Sequence, residues 1–399
     1  MAMSADMTDE MIGQTIGSYT LLSKLGEGGM GAVYLAEHQR IHRRAAIKLL
    51  LPQYSGDRES IRRFMIEARA ASRIRHRGIV EVYDCDVHSD GRAYIVMELL
   101  EGVSLAEHIS ARGRLASDVA LFATHMIANT LSAVHGSGIV HRDLKPDNVF
   151  LVPSGNPREP FAVKVLDFGV AKLFTGDSLQ AAVTRTGQVM GSPSYMAPEQ
   201  CRGSLRLDHR ADIYSLGCIL YEMVCGRPPF VQQGSGELLV AQIAEVPPAP
   251  SSLQPSIAPA TERLIQRMLS KSVDRRPQTM REVEQEVAAC RSAARVAMRR
   301  RHRRKLASVI GTVALMVAVP LTVASWRHAA ARRARQAPVH AVAAPPPSPP
   351  AWLSPVEASV DRERKAPRSR GKKSRRVHED PFDLMTFGSA AKLPAQSRR

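Results

Sequence analysis

The sequence of 399 residues has few cysteines, and none of them are arranged as a CxxC pair. All five precede residue 291, namely Cys85, Cys201, Cys218, Cys225 and Cys290. This pattern does not indicate a disulfide framework or a zinc site, and it fits reduced thiols in a cytosolic fold. The N-terminus contains acids and no apolar run, so it is not a secretory signal, and residues 1–18 are predicted to be a loose leader.

Acidic residues are missing from one stretch of the chain. Residues 299–335 hold 10 basic and no acidic residues, whereas residues 1–298 hold 33 basic and 32 acidic ones. The formal net charge of +17 therefore belongs to this junction and to the tail, and the front part has the charge balance of an ordinary globular region. No aromatic residues are interleaved with the basic cluster, so nucleic-acid binding is not expected.

Residues 141–169 concentrate side chains that suit phosphoryl transfer. Asp143 can take the hydroxyl proton of an acceptor, and Lys145 can neutralise charge on the phosphoryl group during its transfer. Asn148 and Asp167 offer the oxygen ligands that Mg²⁺ prefers. An Asp-rich turn is the plain alternative, but the block HRDLKPDN, followed by DFG 19 residues after Asn148, is too specific for a chance arrangement.

Upstream, Gly26, Gly28 and Gly31 form a GxGxxG pattern. A dinucleotide-binding loop would need a helix directly after the glycines. Residues 33–36 are instead rich in β-branched and aromatic side chains, which favour a returning strand. The pattern predicts a hairpin whose backbone covers phosphates, with a plain flexible hairpin as the simpler alternative.

Lys48 and Glu67 are candidates for a functional ion pair. Lys48 ends an apolar run, and Glu67 lies in a segment where Phe64, Ala68 and Ala71 recur at helical spacing. A random surface pair of this kind contributes little to stability. The order of the two residues relative to Gly26 and Asp143 favours a functional pairing.

These motifs, in this order, resemble the eukaryotic-like serine/threonine protein kinases of bacteria. The resemblance covers about residues 19–290 and implies an α+β, two-lobed protein-kinase fold. The N-lobe, 19–100, is expected to be small and mostly β, and the C-lobe, 101–290, larger and mostly α. The resemblance also implies ATP and Mg²⁺ as cofactors. Ala45 stands where the family usually has valine, a mild departure.

The resemblance places ATP in the cleft between the lobes. Met97 would be the gatekeeper beside adenine, and backbone groups of Glu98 and Leu100 would bind the adenine edge. The full set of implied nucleotide-binding residues is Leu25, Gly26, Glu27, Gly28, Gly29, Met30, Gly31, Ala32, Val33, Ala46, Lys48, Met97, Glu98 and Leu100.

Residues 172–200 are polar, rich in Ser and Thr, and end in an APE triplet, so they resemble an activation segment. Arg142, directly before the predicted base Asp143, is suited to bind a phosphate group on a nearby loop residue. Thr184 and Thr186 are the candidate phosphosites, with ordinary loop hydroxyls as the alternative. Ser192 is similar to the residue that bridges base and lysine in serine/threonine kinases, which implies serine or threonine acceptors.

Three further residues have structural roles under the same resemblance. Asp212 lies at the start of an apolar helix and is expected to anchor the backbone of the catalytic loop, residues 141–148. Arg276 is the expected ion-pair partner of Glu199. Residues 153–160 are turn-rich and predict an enlarged hairpin loop.

Residues 306–325 contain no charge over 20 positions and would span roughly 30 Å as a helix, the thickness of the hydrocarbon core of a bilayer. They predict a single transmembrane helix after a basic juxtamembrane segment, 291–305. Eight basic residues before the span and four after it favour a cytoplasmic kinase domain. Residues 326–399, Pro-rich and basic, predict a disordered extracytoplasmic tail.

The sequence therefore predicts a membrane-anchored, Mg-ATP-dependent kinase that phosphorylates serine or threonine of proteins. Autophosphorylation of the activation loop would take place between two copies, in a homodimer. The alternative is a membrane-tethered pseudokinase that binds nucleotide and recruits partners. Lys48, Asp143, Asn148 and Asp167 are all present, which argues against that alternative.

Overall fold

The computed structural model describes residues 10–156, 159–167, 193–204, 207–232 and 234–335, with side chains left aside at 294–313, 315, 317 and 334. Two compact units are distinguished. The first contains the described residues up to Val296, and the second begins at Ala297.

The first part of unit one is an antiparallel sheet of six strands in the order β1-β2-β3-β4-β6-β5. Its strands are β1 (Thr15–Ile16), β2 (Tyr19–Glu27), β3 (Gly31–His38), β4 (Arg44–Leu50), β5 (Val82–Val87) and β6 (Ala93–Met97). Alternate residues of β4 face opposite sides, so Ile47 packs in one apolar cluster and Leu50 in another. The second cluster includes Phe64 of helix α1 (Arg58–Arg73), which covers that face of the sheet.

The expected leader, 1–18, is shorter than predicted, because residues 10–18 belong to the fold. Strand β1 pairs with β2, and Met11 and Ile16 are buried in the cluster on the outer face of the sheet. The two buried apolar side chains explain the difference. They cover sheet residues such as Tyr34 and Ile47 that would otherwise face water.

The second part of unit one is helical and surrounds one large apolar core. Its elements are α2 (Leu105–Arg112), α3 (Ser117–Gly136), α4 (Pro198–Cys201), α5 (Arg210–Cys225), α6 (Ser235–Ala244), α7 (Pro250–Leu253), α8 (Pro259–Met268) and the start of α9 (Met280–Arg335). A small sheet of β7 (Val103–Ser104), β8 (Val149–Val152) and β9 (Ala162–Val165) lies beside them. The two-lobed kinase architecture expected from the resemblance is confirmed.

The segment after β7 forms two helices, α2 and α3. Helix α2 begins with a capping box between Ser104 and Glu107 and ends at Gly113, whose φ is 72°. Helix α3 follows after four residues. The hairpin loop predicted at 153–160 does connect β8 to β9, with residues 157–158 outside the described part.

The last helix, α9, continues to Arg335, so residues 326–335 are helical and not part of an irregular tail. The stretch is rich in alanine and arginine, which favour helix. Within the part of the chain that the structure describes, no helix is long and apolar enough to cross a membrane. The rest of the predicted tail, 336–399, lies outside the described residues.

Candidate active site

Four neighbouring strands bring the predicted nucleotide-binding residues into register. Val33 of β3 pairs with Lys48 of β4, and Ala46 of β4 pairs with Met97 at the end of β6. Gly26 of β2 pairs with Val33. Two rows of residues therefore cross the same face of the sheet, one carrying the lysine and the other the expected gatekeeper.

The glycine-rich segment is a hairpin turn between β2 and β3, and the N–H of Gly28 donates to the carbonyl of Gly31 at 2.9 Å. A strand, not a helix, follows the glycines, so the dinucleotide-binding alternative is wrong. Gly31 is required by space, because a Cβ there would lie 2.9 Å from the carbonyl oxygen of Leu49. Leu25, just before the turn, is 53% exposed.

The segment after β6, which the resemblance places beside adenine, is held by a contact that the sequence did not predict. The N–H of Glu98 donates to the carbonyl of Glu81 at 2.9 Å, so this N–H is already engaged and the carbonyl is the backbone group left for adenine. The Glu98 carboxylate accepts from the N–H of Glu81 at 2.8 Å and forms an ion pair with Lys164. Lys164 lies three residues before Asp167, in β9, and its position in the sequence gave no signal of this role.

Lys48 brings two carboxyl groups together. Its Nζ lies 3.2 Å from Oε1 of Glu67, on α1, and 2.8 Å from Oδ1 of Asp167. Helix α1 is fixed at its start by Asp57, whose side chain accepts from the N–H groups of Glu59 and Ser60. The predicted Lys48–Glu67 pair is therefore formed, and Asp167 joins it.

The three groups influence one another's protonation. Burial raises the pKa of Glu67 to about 7 against the attraction of Lys48, and the neighbouring Asp167 adds to the rise. Burial acts in the same direction on Asp167, but Lys48, the hydrogen bond with Glu67 and the nearby His141 together lower the pKa of Asp167. Burial alone would lower the pKa of Lys48, yet the two carboxyl groups raise it. Lys48 is therefore kept protonated by the two carboxyl groups beside it.

The backbone of the catalytic loop is anchored by one buried carboxylate. Asp212 accepts from the N–H groups of His141 and Arg142, each at 2.8 Å, and its Oδ2 lies 2.7 Å from Nε2 of His135. Its exposure is 0%. Burial alone would raise the pKa of Asp212, but His135 and these donors lower it. The predicted anchoring role of Asp212 agrees with these contacts.

Strained backbone marks the same loop. Among the described non-glycine residues, Arg142 has a φ of 64°, Asp167 a φ of 48° and His42 a φ of 54°. Two of these three lie at the catalytic segment, where left-handed conformations must be held by their surroundings. Asp212 holds Arg142 through its backbone N–H. His141 Nε2 lies 3.0 Å from the carbonyl of Leu166, directly before Asp167.

The predicted base and its neighbours lie side by side. Lys145 Nζ is 3.8 Å from Oδ2 of Asp143, and both side chains are partly exposed. Asn148 is buried, and its Nδ2 donates to the carbonyl of Asp143 at 2.8 Å. This bond directs the amide oxygen of Asn148 away from that carbonyl and leaves it as the atom that can bind a cation.

The donor set fits a divalent cation held together with phosphate. Asn148 supplies an amide oxygen and Asp167 a carboxylate, both hard ligands of the kind that Mg²⁺ prefers. The backbone of Leu166 donates to the carbonyl of Asn148 at 2.9 Å, which ties the two ligand positions together. No group of three or more His, Cys, Asp or Glu side chains that could hold a metal ion occurs in the described ranges.

Of the predicted regulatory and substrate-loop residues, Arg142 lies in the described part of the chain. Thr184, Thr186 and Ser192 lie outside the described residues. Arg142 is half-buried, and its Nε has no hydrogen-bond partner among the described residues. Burial lowers the pKa of Arg142, against the attraction of Asp212.

The Glu199–Arg276 pair predicted from the sequence is formed. Two guanidinium nitrogens of Arg276 donate to the two carboxylate oxygens of Glu199, each at 2.7 Å. Arg276 is 1% exposed and also donates to the carbonyls of Ser270 and Arg210. The pair joins α4 to the chain after α8 and does not approach the reacting groups, so its role is structural.

Fold and site together define a protein kinase. Residues 19–287 match the protein kinase domain, and the chain belongs to this family. It is similar to the serine/threonine-protein kinase Pkn1 of Myxococcus xanthus, with 43% identity over 268 residues, 67% of this chain and 37% of that protein. It is also similar to the serine/threonine-protein kinase pkn3 of the same organism, with 40% identity over 68% of this chain and 49% of that protein.

A solved structure agrees with the fold. The kinase domain of PknI from Mycobacterium tuberculosis matches with a TM-score of 0.55 and 28% identity, over 70% of this chain and 98% of that one. The chain spans less than half the length of the two curated Myxococcus relatives. Its similarity to all of these proteins is therefore a similarity in the kinase domain.

Replacing Asp212 with asparagine should destabilise the protein. In Asp212→Asn an NH₂ group faces one of the N–H donors now bound by the carboxylate, so at least one buried donor loses its partner. We expect the free energy of unfolding to fall by about 2–4 kcal/mol, since bonds to a charged group contribute about 1.5–3 kcal/mol each. Denaturant unfolding of the full-length protein measures this change.

The matched control is Asp208→Asn. Asp208 is exposed and pairs with Arg210 at the surface, where an ion pair contributes about 1 kcal/mol or less. Equal losses in the two variants would contradict the anchoring role of Asp212.

Proposed function

We propose that this protein is an ATP-dependent protein kinase that phosphorylates serine or threonine residues of other proteins. The observation that carries the proposal is the contact of Lys48 with Asp167 at 2.8 Å and with Glu67 at 3.2 Å, above a catalytic loop that presents Asp143. Membership of the protein kinase family and the bacterial serine/threonine-protein kinases among its relatives support the assignment.

The proposed reaction transfers the γ-phosphoryl group of ATP. The acceptor hydroxyl oxygen bonds to the γ-phosphorus, the bond from that phosphorus to the β–γ bridging oxygen breaks, and ADP leaves. Asp143 orients the hydroxyl and takes its proton. Lys145, 3.8 Å from Asp143, is placed to neutralise charge on the phosphoryl group.

The nucleotide is held from both lobes. Lys48 binds the α- and β-phosphates, with its direction set by Glu67, and the glycine-rich turn covers them. The carbonyl of Glu98 and the N–H of Leu100 bind adenine beside Met97. Asn148 and Asp167 would hold Mg²⁺, which would neutralise charge on the phosphates when bound.

The pseudokinase alternative is less well supported. A scaffold that only binds nucleotide does not need a base, yet Asp143 lies beside Lys145 and the carbonyl of Asp143 is held by Asn148. A scaffold also does not need the left-handed backbone at Arg142 and Asp167, which is costly to maintain.

A phosphotransfer assay tests the activity. Full-length protein with Mg-ATP should transfer labelled phosphate to itself and to a generic basic acceptor, myelin basic protein. Asp143→Asn should lower the rate by about 10²–10⁴-fold, the usual contribution of a general base, and leave the affinity for ATP within twofold.

Asp147→Asn is the matched control, because Asp147 is an exposed carboxylate in the same loop, four residues from the base. It should keep the wild-type rate. Wild-type protein that binds ATP but transfers no label would overturn the proposed activity and favour the scaffold.

Regulation of this activity depends on the activation segment. Arg142 would bind a phosphate on Thr184 or Thr186, placed there by a second copy of the chain. The support is the buried Nε of Arg142, which has no hydrogen-bond partner in the described part of the chain. A guanidinium with free donors is a strong ligand for phosphate.

Mass spectrometry tests the switch. Active protein should carry phosphate on Thr184 and Thr186, and Asp143→Asn expressed alone should carry none. The double variant Thr184→Ala, Thr186→Ala should lose at least tenfold in activity, because Arg142 then lacks its anion. Active enzyme without phosphate on residues 175–192 would rule the switch out.

The chain is anchored in the cell membrane by residues 306–325, with the kinase domain in the cytoplasm and the tail outside. The support is the uncharged run of 20 residues and the basic cluster of 299–305 before it. Large apolar side chains in the described part of helix α9 are exposed, namely Met316, Val319, Leu321, Val323 and Trp326. The basic cluster would also bind anionic lipid.

Fractionation tests the anchor. Full-length protein should stay with the membranes after a wash at alkaline pH and need detergent for release. The variant Leu315→Arg, Val319→Arg should move largely to the soluble fraction, because each arginine at mid-span costs about 2.5–3.5 kcal/mol on insertion. Ala331→Arg, beyond the span, is the control. Wild-type protein that is soluble without detergent would contradict the anchor.

A further inference from the structure

The chain directly after Ser192 has its carbonyl groups held by buried side chains. Residues Pro193–Tyr195 form a 3₁₀ turn, here called the acceptor turn. The carbonyls of Pro193 and Ser194 accept from Nε2 of Gln242 at 3.1 and 2.6 Å. The carbonyl of Tyr195 accepts from Oγ of Ser215 at 2.8 Å. Three successive carbonyls are therefore fixed from the interior of the C-lobe.

Gln242 lies near the end of α6 and has an exposure of 0%. Its Nε2 serves the acceptor turn, and its Oε1 accepts from the hydroxyl of Tyr214 at 2.6 Å. Burying an amide is costly unless its groups are paired. The amide oxygen and the amide nitrogen of Gln242 both form hydrogen bonds, and both N–H donors bind the acceptor turn.

Lys271 fixes the direction of this network. Its Nζ donates to the hydroxyl oxygen of Tyr214 at 3.0 Å. An ammonium group can only donate, so the Tyr214 proton must point to Oε1 of Gln242, and the NH₂ of Gln242 is then left for the two carbonyls. Each donor in the series has an acceptor. A reversed amide would place its NH₂ against the Tyr214 proton and its oxygen against the two carbonyls, so this orientation is fixed.

Lys271 also holds α6 in place. It donates to the carbonyls of Ala241 and Gln242, at the C-terminal end of the helix, where a positive charge is favourable. The ammonium lies 4.4 Å from the ring centroid of Phe230. Phe230, Leu238 and Ala241 form a small apolar cluster apart from the main core. The position of Gln242 therefore depends on this lysine as well as on apolar packing.

The chain that follows the acceptor turn is tied to the catalytic loop. Gln200, on α4, donates through Nε2 to the carbonyl of Arg142 at 2.8 Å, and its Oε1 accepts from the N–H of Ala197. Arg142 directly precedes Asp143. The segment from the acceptor turn to α4 is thus held by Gln242 at its start and by the Gln200–Arg142 bond, next to the catalytic base, at its end.

We propose that Gln242 is a positioning residue for the protein acceptor: by holding the carbonyls of Pro193 and Ser194 it sets the distance between the acceptor turn and Asp143. The inference rests on the proposed kinase activity. Gln242 does not touch the nucleotide residues, so its contribution is to the binding and placement of the acceptor and not to the binding of ATP.

Gln242→Met tests the inference, because methionine has a similar length and no hydrogen-bonding groups. With full-length protein and myelin basic protein as acceptor, we expect the KM for the acceptor to rise at least tenfold. The KM for ATP should stay within twofold of the wild-type value. Gln242→Glu, which keeps an acceptor for Tyr214 but loses both donors, should act in the same direction.

A second measurement does not depend on activity. Amide hydrogen exchange at Ser194, Tyr195 and Met196 should become at least tenfold faster in Gln242→Met, since the turn loses two of its anchors. Exchange in β3 and β4 should not change. Gln232→Met, at an exposed glutamine before α6, is the matched control for both measurements.

The outcomes separate the two proposals. An unchanged acceptor KM, or unchanged exchange in the acceptor turn, would overturn the role of Gln242. An equal loss of ATP binding and acceptor turnover in both Gln242 variants would show a residue of general stability and would overturn it as well. If wild-type protein transfers no phosphate, the kinase activity fails, and the exchange measurement still decides whether Gln242 fixes the turn.

Discussion

The carboxylate of Asp212 is the constraint on which the catalytic loop depends. It is fully buried, and a buried charge is tolerated only when donors surround it. Two of those donors are the backbone N–H groups of His141 and Arg142, so the loop must approach α5 to satisfy the carboxylate. The same two bonds hold Arg142, directly before Asp143, in its left-handed backbone conformation.

The acceptor side of the site is fixed by the same kind of interaction. Buried side chains from α5 and α6 bind the carbonyls of residues 193–195, and Gln200, in the helix that follows this turn, binds the carbonyl of Arg142. The nucleotide side depends on the sheet, where pairing of Val33 with Lys48 and of Ala46 with Met97 brings four distant positions into two rows. In the proposed kinase, backbone pairing would place the nucleotide, and buried polar side chains would place the protein acceptor.

Sequence motifs identified the central residues of the site but not every boundary or contact around it. Residues 10–18 were expected to be loose, yet Met11 and Ile16 cover the outer face of the sheet. Their short apolar pattern carries no periodic signal, so only the presence of the sheet explains their burial.

The sequence by itself determined the order and spacing of the glycine-rich turn, Lys48, the HRDLKPDN block and DFG, and these motifs define the protein kinase fold. Local chemistry is enough for such motifs, because each needs particular residues at short separations. Only the tertiary structure decided which polar groups meet across long separations, such as Glu98 with Lys164 or Gln242 with Ser194. Those pairs arise because a buried polar group must find a partner, and the partner depends on which elements pack together.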